Sequence, residues 1–486
     1  MLEASSHQQL KALFQREGLQ SWPHHLTLSR LVGRSLRRGD HTVVRLQPGT
    51  DPSWLISLLV PLALSECPLA LLVSDALRQR LLRVEWPRLR AAELSLPCWE
   101  GSRAPEETRI WLLNHRELVE AWREQRLGRR QLVIPEAETL EVALRAAMEV
   151  VVEPRHWELL RRAKPSAAES LLTLHQRLSQ RVLTHPRQIE QRVALEADDE
   201  APLRHLLALL DPLPDPWPQW LEASGPGWCS WARVEPAELQ WRLHRQPLNP
   251  LWELKTLLLD RGVVLTGEMG SDGAGNPPAA AFSTLGLTPQ VMVALGDPLL
   301  VHDPLPVYAP LGQPLPNSPH YAEHLLNHCL RLVLGQGGLS VVLVDDAALL
   351  KGLASGLAAE FGKRVTLEHT SPDSNGVLCA SWSWWLDHQD RLPLPCQVLV
   401  GLLPIASLED PLTAAKVSQL RRQGRDWFRE LLLPDALNRL QRSVAGLRRN
   451  GGRLAVLDGR LRSRGWGRQV FTAMEPWVQL SRLLPD

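Results

Sequence analysis

The 486-residue chain has little lysine, tyrosine or phenylalanine: 6 Lys stand beside 48 Arg, and 2 Tyr and 5 Phe beside 19 Trp. A GC-rich coding sequence produces that bias, and so does a surface selected to stack on nucleic-acid bases. The six cysteines, at 67, 98, 229, 329, 379 and 396, contain no CxxC pair. Their scatter argues against a zinc ribbon or a disulfide framework and fits a reducing, cytoplasmic setting. No basic-then-apolar secretion signal opens the chain. The longest apolar stretch, Trp54 to Val73, is interrupted by Pro61, Glu66 and Pro68 and parses as a helix followed by a buried strand, so no membrane is expected. Net charge is also nearly absent, at +1. That balance hides an asymmetry. Lys416 to Arg468 holds 14 Lys and Arg against 4 Asp and Glu, a local excess of +10, so the rest of the chain carries −9. Such a segment reads either as a local polyanion site or as a set of solvated helix faces.

What is present is an alternation of short apolar runs with helical spacing. Thr42–Leu46, Leu69–Val73, Arg109–Leu113 and Gln131–Ile134 are predicted strands, with helices at Ser53–Leu64, Ala76–Val84 and Glu136–Leu144. This is the pattern of a parallel sheet covered on both faces. From about 150 to 215 the spacing is helical only, and a Pro-rich connector, Asp211–Pro218, follows. Residues around Trp228–Trp231, Leu239–Leu243 and Gly262–Thr266 read as strands, and Gly270–Pro278 as a loop near a domain boundary. A second alternating region predicts strands at Ser340–Val344, Arg364–Leu367, Gly376–Ala380, Gln397–Leu402 and Arg453–Leu457. Two tandem α/β domains, 1–283 and 284–486, with a helical insertion in the first, is the expected architecture. No short internal repeat runs through the chain, although the halves leave room for a shared fold.

Several segments, in order, carry a resemblance. Val43-Val44 leads into Pro48-Gly49-Thr50-Asp51-Pro52-Ser53-Trp54-Leu55 and then Leu58-Leu59-Val60-Pro61. Leu112-Leu113-Asn114-His115 precedes Val133-Ile134-Pro135-Glu136-Ala137-Glu138; Thr266-Gly267-Glu268-Met269 and Leu285-Gly286-Leu287 follow. The second half offers Ser381-Trp382-Ser383-Trp384-Trp385-Leu386, Leu403-Pro404 with Glu409-Asp410-Pro411, Leu433-Pro434-Asp435-Ala436 before Gln441 and Arg448, then Asp458-Gly459-Arg460 and Gly465-Trp466-Gly467. This series resembles the DinG/XPD branch of superfamily 2 DNA helicases over nearly the whole chain. The resemblance implies two RecA-like parallel-sheet domains.

It also implies an ATP- and Mg²⁺-dependent motor, but the matching positions depart from that chemistry. Trp54 stands where the family has the phosphate-neutralising Lys, Leu55 where it has a Mg²⁺-binding hydroxyl, and Pro135 where it has the Asp of D-E-A-H. Ala445 stands at the arginine-finger position. A vestigial nucleotide pocket is therefore expected from Gly49, Thr50, Trp54, Glu136, Gln441 and Arg448, with no catalytic residue assigned and no bound cofactor. Arg45 and Asp51 are the nearest substitutes in sequence. Some family members hold an iron–sulfur cluster on four Cys ahead of D-E-A-H; only Cys67 and Cys98 lie in that interval here, too few for one. His320, His324 and His328 recur at four-residue spacing beside Cys329, as either a surface stripe or a chelating pair. Asn114, His115, Arg442, Arg449 and Arg453 are the candidates for holding single-stranded or duplex DNA. Trp382, Trp384 and Trp385 either stack on bases or fill a core. Three readings stay open: a pseudo-helicase without ATP hydrolysis, an active divergent helicase, and an interaction scaffold that kept the fold alone.

Overall fold

The short apolar runs do form strands, and the strands assemble into two all-parallel sheets joined by a third, antiparallel one. The computed structural model describes residues 2–18, 22–185, 191–235, 237–269, 289–296 and 304–481. The first sheet takes β1 (Thr42–Leu46), β2 (Leu69–Leu72), β3 (Cys98–Glu100), β4 (Ile110–Leu113) and β5 (Gln131–Ile134). An inserted region contributes β6 (Val150–Val152), β7 (Arg192–Leu195), β8 (Trp228–Glu235) and β9 (Gln240–Pro247). The chain then returns to the first sheet with β10 (Val263–Gly267) and β11 (Val291–Leu295). The second sheet holds β12 (Leu305–Tyr308), β13 (Ser340–Leu343), β14 (Val365–Leu367), β15 (Val377–Ala380), β16 (Gln397–Val400), β17 (Arg453–Val456) and β18 (Trp477–Gln479).

The first sheet is ordered β11-β1-β10-β5-β2-β4-β3 and the second β14-β15-β13-β16-β17-β12-β18. Numbered from each lobe's own first strand, and with the second sheet taken from its β18 end, both orders become 7-1-6-5-2-4-3. The two halves share one topology. Central strands are buried throughout, which is why they read as unbroken apolar runs. Val44 and Leu46 face one core cluster of the first sheet and Val43 the other, each face being covered by helices.

Several expectations need correction. The region from 150 to 215 is not helical only: β6 and β7 lie within it and pair with β9 and β8 in a four-stranded antiparallel sheet ordered β6-β9-β8-β7. Both strands are short, and their partners lie far along the chain, so no local alternation exposes them. The insertion consequently runs to Pro247. The boundary between 283 and 284 lies outside the described residues, as do Gly270–Pro278 and Leu285–Leu287; β11, however, pairs with β1, so the first lobe continues to Leu295. The helix expected from Glu136 begins at Leu140, because residues 136–139 form a turn. The stretch Trp54 to Val73 divides as foreseen into a helix, Trp54–Leu64, and β2, and among the described residues no helix is long and apolar enough to cross a membrane.

The insertion has its own core, built on Trp157, Trp217, Trp220 and Trp241. Arg245 on β9 is buried there. Its guanidinium donates to Ser230 Oγ (2.8 Å) and to the carbonyls of Trp220 (2.7 Å) and Ala223 (3.0 Å), pairs with Glu200, and lies 3.8 Å over the Trp220 ring. Insertion and second lobe touch. Cys229, Trp231 and Leu248 pack on Leu412 and Ala415 of the helix Pro411–Arg422, flanked by an Arg192–Asp410 ion pair of 2.9 Å. Removing one partner of a buried ion pair costs about 3–5 kcal/mol. Glu200→Ala is therefore expected to destabilise the insertion by about 3 kcal/mol or more, measured as an earlier denaturant transition in tryptophan fluorescence; an unchanged transition refutes the assignment.

Candidate nucleotide cleft between the lobes

Parallel strands aim their carboxyl ends at one edge of the sheet, where ligand crevices form. Four neighbouring strands of the first lobe, β1, β10, β5 and β2, deliver Gly49, Glu268, the pair Glu136 and Glu138, and Ser74 to that edge. The opposite wall belongs to the second lobe. The helix Leu433–Arg449 presents Arg442, Ala445 and Arg449 at helical spacing, with Gln389 and Asp390 beside them. These walls enclose a cavity of about 130 Å³, which Thr50, Trp54, Arg80 and Pro135 also line.

The segment after β1 is a closed turn. Pro48 and Gly49 occupy the centre of a Gln47–Thr50 turn, with Gly49 at φ 87°, the pairing that a type II turn selects. Thr50 donates its N–H (3.0 Å) and its hydroxyl (2.6 Å) to the Gln47 carbonyl. Ser53 N–H goes to Asp51 Oδ1 at 2.8 Å. The N–H groups of Trp54, Leu55 and Ile56 donate to the carbonyls of Asp51, Pro52 and Ser53. Gly49 N–H donates to Glu268 Oε2 at 3.2 Å, so the protein's own carboxylate sits on the amide that faces the cleft. A Cβ on Gly49 would stand 3.0 Å from Ala445 Cβ, which places the two lobes in direct contact at this turn.

The acids are held in specific ways. Ser74 donates its N–H to Glu136 Oε2 and its hydroxyl to Glu136 Oε1, each at 2.8 Å, while Ser74 Oγ caps the helix Asp75–Arg80. Burial raises the Glu136 carboxyl above its ordinary value, against these hydrogen bonds and Arg442. Burial pushes Glu138 up to about 7, with Arg442 opposing. Burial, then repulsion from Glu138, pushes Glu268 up to about 8. Glu138 Oε2 is shut off from solvent with no hydrogen-bond partner among the described residues, and it lies so close to Gly267 that a side chain there would overlap it. The cleft is not without cations, contrary to what the sequence suggests. Arg80, Arg442 and Arg449 line it, but Glu136, Glu138, Glu268 and Asp390 outnumber them by one, and Arg80 is engaged by Glu85 at 3.2 Å and by the Pro52 carbonyl at 3.1 Å.

Phosphates and Mg²⁺ fit this donor set poorly. The amides of Thr50, Ser53, Trp54, Leu55 and Ile56 are bonded within the segment and that of Gly49 to Glu268, both Glu136 oxygens are held by Ser74, and among the described residues no group of three or more His, Cys, Asp or Glu is placed to hold a metal ion. That includes the histidine stripe. His324 and His328 rings lie 4.2 Å apart but bond to Gln313 and to the His324 carbonyl, while Cys329 points into the core.

Other predicted site residues separate. Gln441 and Arg448 line a neighbouring cavity of about 290 Å³; Gln441 donates to the Ala473 carbonyl at 2.8 Å, and Arg448 to those of Met474 and Pro476. Asn114 forms a reciprocal capping box with Glu117, at 2.9 and 2.7 Å. His115 is buried, which lowers it to about 4 and keeps it neutral. Arg453 bonds to Gln397 and the Leu332 carbonyl inside the second lobe. Trp382 and Trp385 are core residues whose indoles donate to Leu402 and Ser443 carbonyls, and Trp384 stacks on His388 at 4.3 Å. Arg442 and Arg449, assigned from sequence to nucleic acid, face the cleft instead. Sequence reasoning missed Ser74 and Asp390 as cleft residues. Glu268 carried a visible signal, being a carboxylate where the resembled family has a Ser-Ala-Thr motif.

No protein-family model matches the chain. Curated proteins do. The ATP-dependent DNA helicase YoaA of Escherichia coli (strain K12) is 28% identical over 176 residues, 34% of this chain and 28% of that protein. The 3'-5' exonuclease DinG of Bacillus subtilis is 31% identical over 89 residues, 18% of this chain and 10% of that protein. Among solved structures, an XPD protein in its apo form superposes with a TM-score of 0.61 at 11% identity, covering 93% of this chain and 99% of that one. An XPD protein of S. tokodaii gives the same score and identity over 94% and 100%. The chain is similar in part of its sequence to the YoaA and DinG proteins and shares its fold with the XPD structures. Its aligned stretch spans under a third of the E. coli YoaA protein's length, while its fold spans nearly the whole of the XPD chains.

The carboxylate pair makes a pH prediction. Glu138 and Glu268 in the folded chain both lie above the ordinary 4.5, so folding binds their protons more tightly. Their contribution to stability is full below about 4.5 and is lost as pH rises through about 7 to 8. Glu268→Gln keeps an oxygen for Gly49 and removes one ionisation. Its thermal midpoint should fall less steeply than the wild type's between about pH 5 and pH 9; parallel curves would exclude the pair as the cause.

Proposed function

We propose that this chain is a helicase-family protein that binds nucleic acid but does not hydrolyse nucleoside triphosphate. The observation that carries the reading is the closed Gln47–Thr50 turn with Glu268 on its outward amide. An incoming phosphate would have to displace a carboxylate, open the turn and enter among further acids. The sequence departures agree with this. Trp54 occupies the position of the phosphate Lys, and Ala445 that of the arginine finger, a residue worth about 10³–10⁵ in rate in nucleotide hydrolases. Where the finger would extend, Ala445 instead lets the lobes meet at Gly49. Nucleic acid as the ligand rests on the DNA helicase relatives and on the basic segment of the second lobe. An active divergent helicase draws support from Arg80, Arg442 and Arg449 in the cleft, and requires Glu268 to leave Gly49.

Phosphate release from ATP and Mg²⁺, with and without single-stranded DNA, separates the readings. The expected rate is background in both conditions and unchanged by Glu136→Gln. DNA-stimulated turnover that Glu136→Gln abolishes would overturn the proposal. Failure to bind DNA at low salt would leave a scaffold.

A further inference from the structure

The basic excess between Lys416 and Arg468 is divided by the long helix Leu433–Arg449, and the fold brings its two ends back together. Phe428 lies 6.0 Å from Trp427 and 5.8 Å from Trp466, ring centre to ring centre, so residues 421–429 adjoin residues 462–468. Arg421 covers the Trp427 ring at 5.0 Å. Arg422, Arg464 and Arg468 are exposed, and among the described residues none of the three has an ion-pair partner. The local acids are already engaged: Glu430 by Arg425, Asp426 by Arg429 at 3.7 Å, and Asp458 by Arg460 at 2.6 Å. The result is an exposed patch of unneutralised guanidinium groups around half-buried indoles, made of residues other than those that line the interlobe cleft.

We propose that this patch is a grip for single-stranded nucleic acid, with Arg422, Arg464 and Arg468 on successive phosphates and Trp427 and Trp466 offering faces to unpaired bases. This rests on the nucleic-acid reading above and gives it a location. Arginine suits the task through its planar fork, which matches phosphate oxygens, and Arg interleaved with Trp is the composition that tracks a flexible strand. An anionic lipid surface would need apolar groups able to insert, whereas here the indoles are half covered by Phe428 and Arg421.

The test measures anisotropy of a labelled oligodeoxythymidylate over a range of salt, using the full chain. Each phosphate contact on a single strand contributes about −0.7 to the slope of log K against log salt. The combined change Arg422→Gln, Arg464→Gln and Arg468→Gln should therefore flatten the slope by about 2, equivalent to about a hundredfold weaker binding at 0.1 M salt when the curves are referred to 1 M. A matched change of exposed first-lobe residues, Arg90→Gln, Arg123→Gln and Arg129→Gln, should leave the slope unchanged. Photocrosslinking of a bromodeoxyuridine oligonucleotide to the wild type should map to residues 421–429 or 460–468. Wild-type binding with an unaltered slope in the triple variant, or crosslinks confined elsewhere, overturns the grip and leaves the broader reading standing. A wild type that binds no oligonucleotide overturns both. Loss of sedimentation with phosphatidylserine vesicles in the triple variant, with oligonucleotide binding intact, would reassign the patch to lipid and also overturn the grip.

Discussion

Glu268 on the amide of Gly49 is the contact around which the interlobe cleft is organised. A glycine in the left-handed region can turn its N–H outward, and a tight turn leaves that donor with no local acceptor. In this fold the neighbouring strand β10 ends next to β1, so the residue just beyond β10 supplies the acceptor. The rest follows from adjacency in the sheet. The end of β5 lies on the other side of β10, bringing Glu138 against Gly267; burial there raises the Glu138 and Glu268 carboxyls, and the short side chain of Ala445 admits the second lobe up to the turn. A low-dielectric crevice that already contains its own carboxyl groups and its own arginines differs in kind from an open phosphate site awaiting a ligand.

The two lobes are tied by more than this crevice. Lys416 reaches Glu141 at 2.9 Å from one lobe to the other, and Glu141 is also held by Arg145 on its own helix. With Arg192–Asp410 and the apolar contact of Trp231 and Leu248 with Leu412 and Ala415, the first lobe and its insertion grip the helix Pro411–Arg422 at separate points. Single exposed ion pairs contribute little, but here charged pairs flank a buried apolar contact, so they fix its register.

Much of this architecture was legible in the residues because parallel strands buried on both faces announce themselves: Leu69–Leu72, Ile110–Leu113, Ser340–Leu343 and Gln397–Val400 are short apolar runs followed by helical spacing. What escaped was short or long-range. Val150–Val152 and Arg192–Leu195 become strands only because Gln240–Pro247 and Trp228–Glu235 pair with them. In the cleft, the turn after β1 and the acids after β5 were marked by sequence, whereas Ser74, which holds Glu136, and Asp390, which lines the cavity, were not, since only the fold decides which serine or aspartate ends up there. Motif order assigned Arg448 and Gln441 to the nucleotide pocket, whereas both are turned toward the carbonyls of residues 473–476. The tryptophans divide the same way, Trp382 and Trp385 sealing a core that no periodicity over seven residues could reveal.

The shared strand order has a mechanical corollary. In each lobe the connection between the fifth and sixth strands is the enlarged one: β5 to β10 carries the whole insertion, and β16 to β17 carries the helices Pro411–Arg422 and Leu433–Arg449. These two overgrown crossovers occupy equivalent places in equivalent frameworks and abut one another through Trp231, Leu248, Leu412 and Ala415. Any scissor movement of one sheet against the other would therefore have to shear an apolar seam lying outside both sheets, a brake assembled from the same loop position in each lobe.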